Sequence, residues 1–330
     1  MKIISIDSTT ETEEEIAAFN ALWNDENQAI KQKTSGSTGT PKVIEIPKWK
    51  MKNSAKMTGE FFDLNNCKTA LICLSPNYIG GKMMLVRSIL YNLTLIVTNV
   101  TRNPLKNVTS EVDFAAMVPL QVETILEESP EKLNLIKYLI IGGAPVSDDL
   151  IQKISQYNCK AYSTFGMTET VSHIALRELK NIDEPYIAIG DTTLSLEDDC
   201  LVITNKALDI HQLKTNDIVE LIDEKTFFWK GRADFVINSG GVKVHPEEVE
   251  QKIKNVLYSE NFIISWLPDD KLGSKVVFIG ENDLNTADIQ DKIEKTVNKY
   301  EKPKAYYYIS ELIKTPSGKI DRIKTRAAIL

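Results

Sequence analysis

The chain has 330 residues, of which 42% are hydrophobic and 26% charged, and its formal net charge is −7. A chain of this length can bury a sizeable core, and we expect one large and one small domain. The acidic balance argues against nucleic acid as the main partner, because nucleic-acid binders need a concentrated basic surface. No apolar run approaches the ~20 residues of a membrane helix, and no signal-peptide pattern opens the chain, so a cytoplasmic protein without integral membrane association is expected.

The cysteines and histidines predict neither a disulfide framework nor a zinc site. No two cysteines have Cys-x-x-Cys spacing, and the three histidines lie far apart in sequence. The residues concerned are Cys67, Cys73, Cys159, Cys200, His173, His211 and His245. The chemistry must therefore come from other residue types.

In chain order, the predicted elements alternate between helices and short apolar strands. A first helix is expected to begin at Thr12, whose hydroxyl and following glutamates suit a helix N-terminus. Strands are then predicted at 69–74, 93–98, 114–118, 138–141 and 159–163, with helices at 51–62, 82–91, 120–127 and 148–156. This alternation predicts an α/β fold with a mostly parallel sheet and helices on both faces. In such sheets ligands bind beyond the carboxyl ends of the strands.

The pattern changes after residue 185. Short runs between 186 and 229, separated by polar residues, predict a small antiparallel part that closes the first domain. A boundary near Asp234 divides the chain into a large domain, 1–232, and a small C-terminal α+β domain, 233–330. In the small domain we expect strands at 235–237, 262–266 and 276–279, and helices at 246–257 and 287–297.

Residues 33–42, Lys-Thr-Ser-Gly-Ser-Thr-Gly-Thr-Pro-Lys, are suited to surround phosphate oxygens. Glycines let backbone N–H groups approach an anion, while hydroxyls and Lys42 add donors and a positive charge. The spacing is not that of a Walker A loop, because the alternating residues 43–47 predict a strand rather than a helix. Taken alone, this stretch would more often be a polar surface turn than a phosphate site. The prediction is a phosphate site on a loop between strands.

Together with three later stretches, this loop resembles the motifs of the ANL superfamily of adenylate-forming enzymes, in the same order along the chain. The later stretches are Tyr162-Ser-Thr-Phe-Gly-Met-Thr-Glu-Thr170, Gly231-Arg-Ala-Asp234 leading into Ser239-Gly-Gly241, and Thr315-Pro-Ser-Gly-Lys319. The resemblance covers almost the whole chain. It implies the ANL fold. It also implies that ATP activates a carboxylic acid to acyl-AMP with release of pyrophosphate, and that the acyl group then forms a thioester with coenzyme A. Mg²⁺ would accompany ATP.

The resemblance also implies roles for individual residues. Thr168 would contact phosphate, and Glu169 would hold Mg²⁺, a hard ion suited to carboxylate oxygens. Phe165 would stack on adenine, although an aromatic residue after a buried strand is also a common core residue. The residues implied in ATP or AMP binding are Thr34, Ser35, Gly36, Ser37, Thr38, Gly39, Lys42, Gly143, Ala144, Pro145, Phe165, Gly166, Asp217 and Arg232.

Asp217 matches the aspartate that binds ribose in this superfamily. The glycine usual before it is replaced by Asn216, which tolerates the same backbone region. Lys319 matches the catalytic lysine that bridges the acyl carboxylate and the α-phosphate. A small domain carrying Lys319 would close over the cleft for the first step and rotate about the hinge Asp234 for the second. Gly240, Gly241 and Lys243 would then face coenzyme A.

Two features depart from the usual pattern. Only 33 residues precede Thr34, where relatives carry a longer N-terminal subdomain, and Tyr78 stands in place of a gating histidine. Residues 81–88 and 168–174 are most similar to those of o-succinylbenzoate–CoA ligases of menaquinone biosynthesis, especially the short form. A dicarboxylic acid needs a second anion site. The predicted acyl-binding residues are Tyr78, Lys82, Arg87, Ser172 and His173.

Alternatives stay open at this point. Lys82 and Arg87 could share one solvated helix face, and His173 could be a structural histidine. The protein could be another acyl-CoA synthetase or an enzyme that loads a carrier protein, or a nucleotide-binding protein without catalysis. The expected partners are a carboxylic acid, ATP and coenzyme A, and a homodimer is left open.

Overall fold

Two main sheets and one hairpin organise the described part of the chain. The computed structural model describes residues 2–33, 43–257, 259, 261–286, 288–314 and 320–330. The predicted phosphate loop, residues 34–42, and the segment 315–319 with Lys319 therefore lie outside the described residues. The helices are α1 Thr10–Asn24, α2 Lys48–Phe62, α3 Ile79–Leu90, α4 Pro119–Glu128, α5 Asp148–Ile154, α6 Pro246–Leu257, α7 Ile289–Thr296 and α8 Arg322–Ala327.

The strands fall into three groups. The hairpin consists of β2 Ala29–Lys33 and β3 Val43–Pro47. The 12-stranded sheet contains β1 Ile3–Ser5, β4 Thr69–Ile72, β5 Thr94–Val97, β6 Val112–Met117, β7 Ile136–Ile141, β8 Lys160–Gly166, β9 His173–Glu178, β10 Tyr186–Ala188, β11 Thr193–Glu197, β12 Cys200–Asn205, β13 Ile210–Leu221 and β14 Thr226–Arg232. The five-stranded sheet contains β15 Ile237–Ser239, β16 Val242–Val244, β17 Phe262–Asp269, β18 Gly273–Glu281 and β19 Ala305–Ile309.

The large sheet changes from parallel to antiparallel half-way across. Its order is β1-β5-β4-β6-β7-β8-β9-β10-β14-β13-β12-β11. The six strands from β1 to β8 pair in parallel, and every pairing from β8–β9 onwards is antiparallel. This confirms the predicted α/β fold and its antiparallel closing part.

Successive residues of a central strand belong to different apolar clusters on the two faces of the sheet. Leu71 of β4 packs with residues of α4 and α5, whereas Ile72 packs with residues of α2 and α3. Because side chains alternate along a strand, both faces need helical cover, which explains the nearly continuous apolar strands.

Capping residues explain where several helices begin. The hydroxyl of Thr9 accepts a hydrogen bond from the backbone N–H of Thr12 at 3.3 Å, so α1 begins at Thr10 rather than at the expected Thr12. Ser147 caps α5 in the same way, through the N–H of Leu150 at 3.2 Å. In the described part of the chain, no helix is long and apolar enough to cross a membrane.

Residues after 232 build the second sheet around apolar clusters of their own. A single turn of 3₁₀ helix, Ala233–Phe235, includes the first residue of the expected strand at 235–237, and the strand begins at Ile237 instead. Side chains cross the predicted boundary at a few points, such as Asn255 to Asp148 at 2.9 Å. The division at 232/233 agrees with these clusters and stays a prediction.

Candidate active site

The strands on either side of the predicted phosphate loop pair with each other. Lys33, the last residue of β2, lies opposite Val43, the first residue of β3. Lys82 of α3 donates from Nζ to Gln32 Oε1 on β2 at 2.7 Å, and to the carbonyl of Lys31 at 3.4 Å. The hairpin is thus attached to α3 next to the residues that precede the loop.

Two of the predicted motifs follow the neighbouring parallel strands β7 and β8, so they lie at the same edge of the sheet. Gly143, Ala144 and Pro145 are exposed beyond β7, and Gly143 has a φ of 87°, which favours glycine. A Cβ on Gly142 would lie 2.4 Å from Thr164 Oγ1 of β8. A side chain at residue 142 would therefore have to displace the Thr164 hydroxyl.

Residues 167–172 connect β8 to β9 and carry Thr168 and Glu169. Glycine is needed at residue 166, since a Cβ there would lie 2.4 Å from the carbonyl oxygen of Ser172. Thr168–Thr170 form one turn of 3₁₀ helix. Val171 then has a φ of 66°, rare for a β-branched residue and costing about 1–3 kcal/mol.

The carboxylate of Glu169 is exposed and has no hydrogen bond or ion pair to any described residue. It lines a cavity of about 340 Å³ together with Lys50 of α2 and residues 209–214. Among the described residues, no group of three or more His, Cys, Asp or Glu could hold a metal ion. A single unpartnered carboxylate on a cavity fits Mg²⁺, which is commonly held by one or two carboxylates plus substrate phosphates.

Phe165 of β8 packs against other aromatic rings. Its ring centroid lies 5.1 Å from that of Phe227 and 5.9 Å from that of Tyr186, both in edge-to-face geometry. The side chain is only partly buried. The structure therefore gives Phe165 a core contact on one side, and adenine stacking stays a prediction.

Asp217 and Arg232 lie directly opposite each other on β13 and β14. The indole N–H of Trp229 donates to Asp217 Oδ1 at 2.9 Å. Burial raises the pKa of Asp217, while the Trp229 hydrogen bond and the charge of Arg232 act in the opposite direction. At the predicted ribose site, the Asp217 carboxylate is thus fixed by the Trp229 hydrogen bond and lies beside the cationic Arg232.

The predicted hinge residue Asp234 adjoins this pair. Asp234 accepts a hydrogen bond from Arg232 Nη2 at 2.6 Å, and both of its oxygens accept from Asn216 Nδ2, at 3.0 and 3.3 Å. Asn216, which replaces the usual glycine, therefore links the strand carrying Asp217 to the predicted hinge.

Arg87 of α3 is a buried cation without a carboxylate partner among the described residues. The side chain is 2% exposed, its Nη2 donates to Ser172 Oγ at 3.1 Å, and its Nε has no hydrogen-bond partner. Burial lowers the pKa of Arg87 to about 9. Burying an unpaired charge is costly, so the arrangement is suited to receive an anion.

His173 completes this cluster. Its Nε2 lies 3.1 Å from Thr58 Oγ1, and the same hydroxyl lies 3.2 Å from the carbonyl oxygen of Ser54. Burial, and then the charge of Arg87, hold the pKa of His173 well below its usual value. The cluster thus carries one positive charge, on Arg87.

The other two predicted acyl-binding residues lie elsewhere. Lys82 is buried and bonded to β2, and Tyr78 is 64% exposed at the start of α3. Lys82 and Arg87 therefore do not share a solvated face, and the described contacts do not bring Lys82 to the Arg87 cluster. Burial lowers the pKa of Lys82.

The predicted coenzyme A residues form a two-residue hairpin turn between β15 and β16. Gly240 and Gly241 have φ values of 59° and 82°, as such turns require. The exposed Nζ of Lys243 lies 3.4 Å from Asp199 Oδ2 in the turn between β11 and β12. Coenzyme A would have to compete with this ion pair, and the assignment stays a prediction.

Sequence reasoning missed a buried carboxyl group beside the hinge. Glu247 of α6 lies against Gly231, where a Cβ would come within 2.8 Å of Glu247 Oε2. Burial raises the pKa of Glu247 to about 7, although the charge of Arg322 opposes the shift. Arg322 itself pairs with the buried Glu250. The residues that surround Glu247 are distant from it in sequence. Apart from Gly231, no local sequence pattern indicated that this carboxyl group would be buried.

Comparison with known proteins identifies the class. The model of the family described as AMP-binding enzyme matches residues 5–198. The chain belongs to this family, and thereby to the ANL superfamily of adenylate-forming enzymes.

Individual relatives agree with this class. The crystal structure of an acyl-CoA synthetase (AMP-forming)/AMP-acid ligase II-like protein from Dyadobacter fermentans is 36% identical, has a TM-score of 0.64, and is matched over 98% of this chain and 96% of that one. The 2-succinylbenzoate–CoA ligase of Staphylococcus epidermidis is 24% identical over 92% of this chain and 71% of its own length. The o-succinylbenzoate CoA synthetase of Bacillus subtilis in complex with OSB-AMP has a TM-score of 0.79 at 18% identity, over 98% of this chain and 77% of that one, and shows the shared fold.

Proposed function

We propose that this enzyme activates a carboxylic acid with ATP to acyl-AMP and then transfers the acyl group to coenzyme A. The acid we propose is o-succinylbenzoate, and the product would be o-succinylbenzoyl-CoA for menaquinone biosynthesis in the cytoplasm. The observation that carries the choice of acid is Arg87, a buried guanidinium whose one described oxygen contact is the neutral hydroxyl of Ser172.

The charge balance of the cluster supports an acid with a second carboxylate. With His173 neutral, a carboxylate at Arg87 would leave no net charge in this cluster of side chains. Ser172 Oγ could turn its proton to the same anion, because it accepts from Arg87 and has its hydroxyl proton available. A monocarboxylic acid would leave Arg87 buried and unpaired.

The described residues proposed to bind ATP lie on, or directly after, strands of the large sheet. Asp217, held by Trp229, would accept hydrogen bonds from the ribose hydroxyls, with Arg232 beside it. Thr168 would contact phosphate, and Glu169 would hold Mg²⁺, which supplies neutralising charge to the phosphate oxygens. The residues assigned by resemblance outside the described part of the chain are Thr34, Ser35, Gly36, Ser37, Thr38, Gly39, Lys42 and Lys319.

We propose that the chain divides into two domains and that both take part in this reaction. Residues 1–232 would bind ATP and the acid, and residues 233–330 would bring Lys319 to the cleft for adenylation. Rotation about Asp234 would then remove Lys319 and present Gly240, Gly241 and Lys243 to coenzyme A. The rotation would have to break the Arg232–Asp234 and Asn216–Asp234 contacts or carry them along.

The test is thioester formation by the purified protein with ATP, Mg²⁺ and coenzyme A. The acids compared are o-succinylbenzoate, benzoate and a medium-chain fatty acid. Selective turnover of o-succinylbenzoate is expected. Equal or better turnover of a monocarboxylic acid would overturn the substrate, and acyl-AMP formation without transfer to coenzyme A would point to a carrier-protein acceptor.

A further inference from the structure

The hydroxyl of Thr170 lies at the centre of the connection between β8 and β9. Thr170 is completely buried, and its Oγ1 accepts a hydrogen bond from the backbone N–H of Met167 at 2.9 Å. The same oxygen lies 2.7 Å from the carbonyl oxygen of Ser172 and 2.9 Å from that of Met167. One side-chain atom thus touches the backbone on both sides of Glu169.

The Thr170 hydroxyl has two carbonyl oxygens within hydrogen-bond distance but only one proton. A hydroxyl has one proton to donate. The carbonyl of Met167 already accepts the N–H of Thr170 at 3.1 Å, whereas the carbonyl of Ser172 has the shorter contact with the hydroxyl. The proton is therefore directed to Ser172, and the hydroxyl links Met167 N–H to Ser172 C=O.

The backbone between these two points is held in an uncommon conformation. At Val171 the chain makes a three-residue turn with φ 66° and ψ −53°, closed by the N–H of Ser172 donating to the carbonyl of Thr170 at 2.7 Å. Such turns are rare and strained. They persist where surrounding contacts hold them, and Thr170 supplies the nearest such contact.

The two sides of this turn serve different parts of the proposed reaction. Thr168 and Glu169 precede it and belong to the phosphate side. Ser172 and His173 follow it, and they contact Arg87 at 3.1 Å and Thr58 at 3.1 Å on the acyl side. A change in the turn would shift one set relative to the other.

We propose that Thr170 is a positioning residue that fixes the acyl-side Ser172 and His173 relative to the phosphate-side Thr168 and Glu169. The inference rests on the proposed function, because the phosphate side and the acyl side are defined by that reaction. Thr170 does not itself touch the reacting atoms. It acts by holding the acid carboxylate and the α-phosphate in line, where small displacements are costly.

The test compares Thr170→Val, which keeps the shape and removes the hydroxyl, with Thr170→Ser, which keeps the hydroxyl. Thr98→Val is the matched control, because the Thr98 hydroxyl is also buried but has no hydrogen-bond partner among the described residues. The readouts are kcat and KM for pyrophosphate release, the ratio of kcat/KM for o-succinylbenzoate over benzoate, the affinity for ATP, and the melting temperature.

We expect Thr170→Val to lower kcat about 10- to 100-fold and the acid ratio about tenfold, with Thr170→Ser and Thr98→Val within about threefold of the wild type. Thr170→Ala provides the same comparison if the valine variant does not fold. A fall in melting temperature with kcat and the acid ratio unchanged would overturn the inference, as would equal loss in the serine variant. If the wild type activates no acid although it binds ATP, the proposed function fails, and this inference fails with it.

Discussion

Arg87 Nη2 donates to Ser172 Oγ across 3.1 Å, joining the last turn of α3 to the turn that follows Glu169. The two residues are 85 positions apart in sequence. Their contact brings a buried positive charge to the polypeptide segment that carries the predicted phosphate-side residues.

Replacing Arg87 should change the preference for the acid. For Arg87→Met we expect kcat/KM for o-succinylbenzoate to fall about 10- to 100-fold, because a hydrogen-bonded charge pair would be lost, while that for benzoate stays within about threefold. Steady-state kinetics with both acids check this, and Arg102→Met at an exposed loop position is the control. Equal loss with both acids would assign Arg87 to folding rather than to specificity.

Lys82→Met should affect ATP rather than the acid. Lys82 Nζ is bonded to Gln32 and Lys31 of β2, next to the predicted phosphate loop, and not to the Arg87 cluster. We expect KM for ATP to rise about three- to tenfold with KM for the acid nearly unchanged. The exposed Lys56→Met variant is the control. A larger effect on KM for the acid would instead support the acyl-binding role predicted for Lys82.

Asp217→Asn should weaken recognition of the ribose. The variant keeps an acceptor for Trp229 but replaces one carboxylate oxygen by a donor, so we expect affinity for ATP to fall about tenfold. Preference for ATP over 2′-deoxyATP or 3′-deoxyATP should fall as well. Calorimetric titration checks both, beside Asp223→Asn in the exposed β13–β14 turn. Undiminished preference for both hydroxyls would remove Asp217 from the ribose site.

Lys319→Ala should separate the two half-reactions. Formation of acyl-AMP should be abolished, because the lysine would stabilise charge between the carboxylate and the α-phosphate. Thioester formation from preformed acyl-AMP should continue at a rate close to that of the wild type. Single-turnover assays of each step make the comparison, with Lys324→Ala as the nearby control. Loss of both steps would contradict the two-pose assignment.

Glu247→Gln should alter the pH dependence of stability. The pKa of Glu247 is raised from 4.5 to about 7 in the folded protein, so the folded state keeps a proton that the unfolded chain has released between these values. The stabilisation that the Glu247 carboxyl group contributes to the folded state is fully present below pH 4.5. It is lost as the pH rises through 7. The free energy of unfolding of the variant relative to the wild type should therefore rise between pH 5 and 8, by up to about 3 kcal/mol.

Denaturant titrations at several pH values measure this difference. Glu248→Gln, at the next position of α6, is the control, because Glu248 faces Lys230 at 3.6 Å rather than Gly231. A pH-independent difference for Glu247→Gln would show that the carboxyl group titrates normally.

The sequence alone determined the fold class and the order of its parts. Apolar runs of strand length alternating with helical stretches required a parallel sheet covered on both faces, and that sheet spans β1 to β8. The polar interruptions after 185 likewise marked the antiparallel strands. Local patterns carry this information because the period of the side chains is a property of the strand or helix itself. Helix α1 began two residues before the expected Thr12 because Thr9 offered a competing cap.

Only the tertiary structure decided which charged residues work together. Lys82 and Arg87 lie on one helix and looked alike in sequence, yet Lys82 bonds to β2 while Arg87 reaches Ser172. The raised pKa of Glu247 and the central position of Thr170 depend equally on segments folded around them. Burial and partner geometry are set by residues distant in the chain, so no local pattern records them. The physical reason is that desolvation and hydrogen bonding act through space, whereas periodicity acts along the chain.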